Sequence, residues 1–238
     1  MPGWKRVLII LLIPFALNLS ISMVISAYAV RQAIERGLPP EEIGFEAAKA
    51  LFTYNFYWSI IQVTLGLYLA GKMGGMKWIK EQFSSEDFTK SKLNSILIII
   101  GLIVFSQLLF IIESYISALS YGGYYKYIEM WNRLVSSLPL LSKVYLVGIA
   151  PFTAGIFEEI IWRGYGINML EKDFDSRKAV LLQAITFGLW HVTPLHVVFT
   201  FIVGFVFGYI YVRRRKLLVI SIAHILTDIV GFGMAFLR

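Results

Sequence analysis

The chain has no cysteine. That removes a disulfide framework, a thiol nucleophile and a thiolate metal site together, leaving carboxylate, imidazole and hydroxyl groups to carry any chemistry. Imidazole is scarce as well, with three histidines in 238 residues: His191, His196 and His224. Charge is sparse. Asp, Glu, Lys and Arg make up 16% of the chain against 58% hydrophobic residues, too apolar a balance for an ordinary soluble domain of this length. There is no internal repeat and no low-complexity tract.

What is present is a succession of apolar runs, each able to cross a hydrocarbon core of about 30 Å. Candidate spans fall at 7–30, 51–71, 94–115, 144–167, 178–193, 196–212 and 216–237. They predict an all-α, polytopic transmembrane helical bundle of about seven spans, one domain over 1–238 with its motif-bearing core at about 144–237. Pro194 breaks one long apolar run into two helices joined by a tight turn. Lys5-Arg6 ahead of an apolar run, and Ala27-Tyr28-Ala29 after it, imitate a cleaved signal. A run of about 24 residues exceeds a signal h-region, so the first span is read as retained.

Lys and Arg set the orientation. With the N-terminus inside, fourteen fall on the cytoplasmic side, among them Lys72, Lys77, Lys172 and the run Arg213 to Lys216, which reads as a stop signal. Seven fall outside: Arg31, Arg36, Lys49, Lys126, Arg133, Lys143 and Arg238. This places the N-terminus in the cytoplasm and the protein in the cell membrane. The net charge of +7 then reflects topology and contact with anionic lipids, and nucleic acid is not an expected partner. Between the spans, Pro39-Pro40-Glu41-Glu42 reads as a turn into a helix, Met76–Phe83 as an amphipathic surface stretch, and Tyr121 to Trp131 as an outer aromatic belt.

Against this background Glu158, Glu159 and Arg163 are anomalous, because an ionisable group at membrane depth is costly and marks a functional site by default. Glu159 and Arg163 stand one helical turn apart and can pair, leaving Glu158 free to face the bundle interior as a general base. Phe187 precedes His191 by one turn, and His224 precedes Asp228 by one turn, each pair on one helix face. At about 1.5 Å per residue, Glu158 lies roughly 21 Å from Lys172, His191 roughly 20 Å from Lys178, and Asp228 and His224 roughly 18 and 12 Å from Lys216. The four could therefore line one cavity open to the cytoplasm. Plainer readings exist for the rest: Glu159 with Arg163 as a structural pair, His224 with Asp228 as an interhelical hydrogen-bonding device, His196 as an ordinary residue beside the outer turn, Glu113 as interfacial.

Several membrane chemistries are excluded. There is no His-Glu-x-x-His helix for a zinc protease of the site-2 type, no second aspartate in a span for an aspartyl protease, and no Gly-x-Ser ahead of a helical histidine. Glutamate and histidine remain as activators of water.

In this order, Glu158-Glu159-x-x-x-Arg163, Phe187-x-x-x-His191 and His224-x-x-x-Asp228 resemble the motifs of the CPBP family, the CAAX-protease and bacteriocin-processing (Abi) membrane proteases that include the type 2 CAAX prenyl endopeptidases. The resemblance covers about residues 145–230. It implies an intramembrane endopeptidase with Glu158 and His191 activating the attacking water and His224, with residue 228, stabilising the oxyanion, while Glu159, Arg163 and Phe187 support. The family is often labelled metallo, and zinc held by Glu158, His191, His224 and Asp228 is chemically allowed, as is a metal-free glutamate mechanism. The family's residue at 228 is Asn or Asp. An ionised Asp cannot donate to an oxyanion, so Asp228 is either protonated, orients His224 as its acceptor partner, or ligates a metal, and the orienting role is the one expected. The expected partners are membrane lipids and a membrane-anchored or lipidated, CAAX-type peptide. Leader-peptide or bacteriocin processing, self-immunity, a proton- or ion-coupled transporter and a non-catalytic binding protein are the alternatives.

Overall fold

The computed structural model describes residues 1–236, and it is a bundle of helices without strands among them. Arg238 and the end of the span expected at 216–237 lie outside the described residues. Helices long and apolar enough to cross a membrane are Gly3–Glu35, Lys92–Ser120, the run Leu140–Leu170, and Pro194–Arg214, and Leu218–Met234 is a shorter apolar helix. We label α1 (Gly3–Glu35), α2 (Pro40–Thr53), α3 (Tyr57–Met73), α4 (Gly75–Gln82), α5 (Glu86–Thr89), α6 (Lys92–Ser120) and α7 (Tyr124–Ser137). There follow α8 (Leu140–Gly148), α9 (Ala150–Thr153), a π-helix π1 (Ala154–Ile167), α10 (Asn168–Leu170), α11 (Ser176–Trp190), α12 (Pro194–Arg214) and α13 (Leu218–Phe236).

The expected second span, 51–71, splits differently. Residues 51–53 finish α2, and the chain turns at the fully buried Asn55 before α3 begins. The connector expected over 31–50 is thus largely helix, opened by Pro40 at its first position with Glu41 and Glu42 in its first turn. Acids there complement the positive end of the helix dipole. Arg133 of α7 grips Glu42 through both carboxylate oxygens, at 2.9 and 2.5 Å, tying α7 to α2 at one end of the bundle. Tyr115 and Tyr124 stack nearby, and Tyr127 and Trp131 continue the aromatic belt.

The opposite end carries most of the lysine and arginine. Its run Arg213 to Lys216 also ties neighbouring elements together. Arg214 bonds Asp87 at 2.8 Å and the Ser95 hydroxyl at 3.0 Å, Lys216 donates to the Glu81 carbonyl at 2.6 Å, and Arg215 pairs with Glu171. The hydrogen bond from Arg215 holds the Glu171 carboxyl below its ordinary range. α11 is capped by Asp175, whose side chain accepts from the Lys178 amide at 3.0 Å. α11 and α12 form the closest-packed helix pair because Gly188 and Gly204 leave room: a Cβ on Gly188 would stand 2.8 Å from the Val197 carbonyl, and one on Gly204 2.6 Å from the Phe187 ring.

Candidate active site

π1 is the element that brings the charges inward. A π-helix bonds i to i+5 and is wider than an α-helix, so the 100° stepping assumed from sequence does not apply to Glu158 and Glu159. Both carboxylates are buried, at 2% and 0% exposure, and so is Arg163 at 0%. Gly155 lets α13 approach, since a Cβ there would lie 2.9 Å from the Ile225 amide nitrogen and 3.1 Å from the Ser221 carbonyl. α13 carries His224 and Asp228 to this contact.

Glu158 and Glu159 have separate surroundings. One oxygen of Glu158 accepts from Gln62 Nε2 at 2.7 Å and from Trp190 Nε1 at 2.8 Å, while Oε2 has no hydrogen-bond partner and faces His224 Nε2 at 3.7 Å. Glu159 takes Arg163 Nη1 at 3.1 Å and His224 Nδ1 at 2.7 Å on a single oxygen. Arg163 lies over the Phe187 ring at 4.2 Å, and the same ring packs against Trp162, His191 and His224. Phe187 is thus the apolar hub of the motif residues.

His224 Nδ1 is hydrogen-bonded to Glu159 at 2.7 Å, where the sequence suggested Asp228; Asp228 Oδ2 stands 3.8 Å from His224 Nε2, within ion-pair distance but beyond hydrogen-bond reach. One turn of α-helix puts residues 224 and 228 on a common face, but the imidazole turns its Nδ1 toward π1, where a buried carboxylate waits.

His191 ends α11. Its Nδ1 bonds the Phe187 carbonyl at 3.0 Å, and because a carbonyl only accepts, Nδ1 carries the proton and the Nε2 lone pair is free. The next residue, Val192, has φ +62°, a left-handed conformation that a β-branched side chain resists, so the turn presenting His191 is strained. His196 and Glu113, singled out separately in the sequence, meet in the structure. His196 Nδ1 lies 3.0 Å from both Glu113 oxygens, and its ring meets that of His191 edge-on at 5.2 Å. Neither residue belongs to a motif, and only two ionisable groups recurring near the ends of apolar runs signalled them.

The uncharged partners went unseen in the sequence. Gln62 and Trp190 hold Glu158, and Asn18 of α1 donates to the Trp190 carbonyl at 2.7 Å while accepting from Tyr57 at 2.7 Å and Trp58 at 3.2 Å. Their signal was available: Asn and Gln are depleted from lipid-facing apolar runs, and those present are drawn to polar partners.

The side chains of His224, Asp228, His196 and Glu113 are 11%, 22%, 33% and 15% exposed. A cavity opens at the basic end, and none of Glu158, His191, His224 or Asp228 lines it.

Zinc would draw its donors from Glu158, His191, His224 and Asp228. Among the described residues no group of three or more His, Asp or Glu is already disposed to hold a metal ion. One Glu158 oxygen is taken by Gln62 and Trp190, while the other and Asp228 Oδ2 stand 3.7 and 3.8 Å from His224 Nε2.

Residues 140–230 match the family described as Type II CAAX prenyl endopeptidase Rce1-like. No match was found among curated proteins or solved structures. The matched segment runs from α8 into α13 and contains every motif residue described above. Over that segment the chain resembles the type II CAAX prenyl endopeptidases, and with them the CPBP membrane proteases.

Proposed function

We propose that the protein is an intramembrane endopeptidase that hydrolyses a peptide bond of a membrane-associated, CAAX-type lipidated peptide. The observation that carries this reading is the asymmetry of Glu158, with one oxygen held by two donors and the other free beside His224. A water between Glu158 Oε2 and His191 Nε2 attacks the scissile carbonyl and gives its proton to Glu158. His224, held through Nδ1 by Glu159, donates from protonated Nε2 to the oxygen that gains charge. The tetrahedral adduct then collapses, the C–N bond breaks, and the proton on Glu158 passes to the leaving amine. No step is routed through a metal.

The test is cleavage of a fluorogenic prenylated CAAX peptide and of an unprenylated leader-type peptide by the purified protein, with and without chelator. Glu158→Gln is expected to lower cleavage by about 10²–10⁴-fold, the usual contribution of a positioned base. Undiminished cleavage by that variant sinks the mechanism, and loss of wild-type cleavage on chelation restores the metal.

A further inference from the structure

The cavity at the basic end is separate from the site just described. It has a volume of about 710 Å³, within the range of small-molecule sites, roughly 300–1,000 Å³. Elements α1, α3, α4, π1, α10 and α12 contribute to its wall, and its charged lining is cationic throughout: Lys72, Lys172 and Arg215, with no Asp or Glu. Arg215 is engaged by Glu171, but Lys72 and Lys172 have no carboxylate partner among the described residues. Lys72 Nζ rests 5.4 Å from the Tyr68 ring centroid, at the cavity rim.

Two further groups in the wall lack partners they could use. The Tyr211 hydroxyl accepts from Asn168 Nδ2 at 2.6 Å, and no acceptor for its own proton stands among the described residues. Gln82 Oε1 is buried without a hydrogen bond. Trp78 forms an apolar side of the cavity, seated against Gly164, where a Cβ would stand 2.6 Å from the indole. Ile10, Leu69 and Met169 complete an apolar flank.

We propose that this cavity binds a phosphate group through Lys72, Lys172 and the Tyr211 hydroxyl, carried either by a phospholipid headgroup or by a free phosphate compound. The cations neutralise it, the phenol supplies a donor, and the Gln82 amide meets a neighbouring hydroxyl. A basic pocket between helices at the positively charged end of a membrane bundle is where anionic headgroups lie, and the apolar flank suits the start of an acyl chain. The proposal does not depend on the peptidase reading.

Native mass spectrometry of the full chain in detergent, titrated with phosphatidylglycerol and with phosphatidylcholine, tests it. Wild type is expected to retain phosphatidylglycerol preferentially, and the double variant K72Q/K172Q to lose about thirtyfold in that preference, two lysines near an anionic surface. The control K126Q/K143Q, at the other end, keeps it. Retention unaffected by millimolar inorganic phosphate assigns the site to lipid, and displacement by it assigns the site to free phosphate compounds. Equal retention of the two lipids by wild type together with no binding of inorganic phosphate, or an unchanged preference in K72Q/K172Q with an unchanged melting temperature, overturns the proposal.

Discussion

Two adjacent glutamates that differ by one position in sequence differ entirely in what surrounds them. Glu159 is fully enclosed and anchors both Arg163 and His224, so removing its charge strands a buried guanidinium and frees the imidazole at once. Breaking a buried pair from one side costs about 3–5 kcal/mol. Glu159→Gln is therefore expected to lower the melting temperature markedly in detergent as well as cleavage. Asp228→Asn is expected to leave the melting temperature nearly unchanged, because Asp228 makes no hydrogen bond to His224. An amide at 228 can also donate to an oxyanion, which a carboxylate cannot, so cleavage by Asp228→Asn should equal or exceed that of wild type. A large stability loss in Asp228→Asn, with little in Glu159→Gln, would return the orienting role to Asp228.

At the level of elements, the site depends on α13 lying almost in contact with the backbone of π1. Gly155 permits this, and the atoms a Cβ would meet there include backbone nitrogen and oxygen of α13, which cannot rotate away. Gly155→Ala is expected to cost about 1–3 kcal/mol by overpacking and to reduce cleavage by shifting His224 from Glu158. Gly101→Ala on α6, with nothing within 4 Å of its added Cβ, should be neutral or stabilising by up to about 1 kcal/mol through helix propensity. Equal melting temperatures for the two variants would show that the approach of α13 to π1 is not tight. The charged motifs were legible because Glu158, Arg163, His191 and Asp228 interrupt apolar runs, and Pro194 announced the α11–α12 turn. The π-helical form of 154–167 was not legible, since its hydrogen-bond register is decided by packing against α3 and α13. Nor was the contact of Gln62 with Glu158, which joins residues 96 positions apart through a helix crossing that no local pattern encodes.

For the whole molecule, orientation decides which compartment each end meets. The two-to-one excess of lysine and arginine predicts that the end bearing Lys77, Lys172 and Arg214 faces the cytoplasm. Because the chain has no cysteine, single-cysteine labelling needs no altered background. Lys77 and Lys126 are both exposed and lie at opposite ends, on α4 and α7. With a membrane-impermeant maleimide applied to intact cells, Lys126→Cys is expected to label and Lys77→Cys to stay unlabelled until the membrane is opened. That result supports the N-inside orientation and puts the cavity lined by Lys72 and Lys172 at the cytoplasmic surface. The reverse pattern overturns the charge-based orientation.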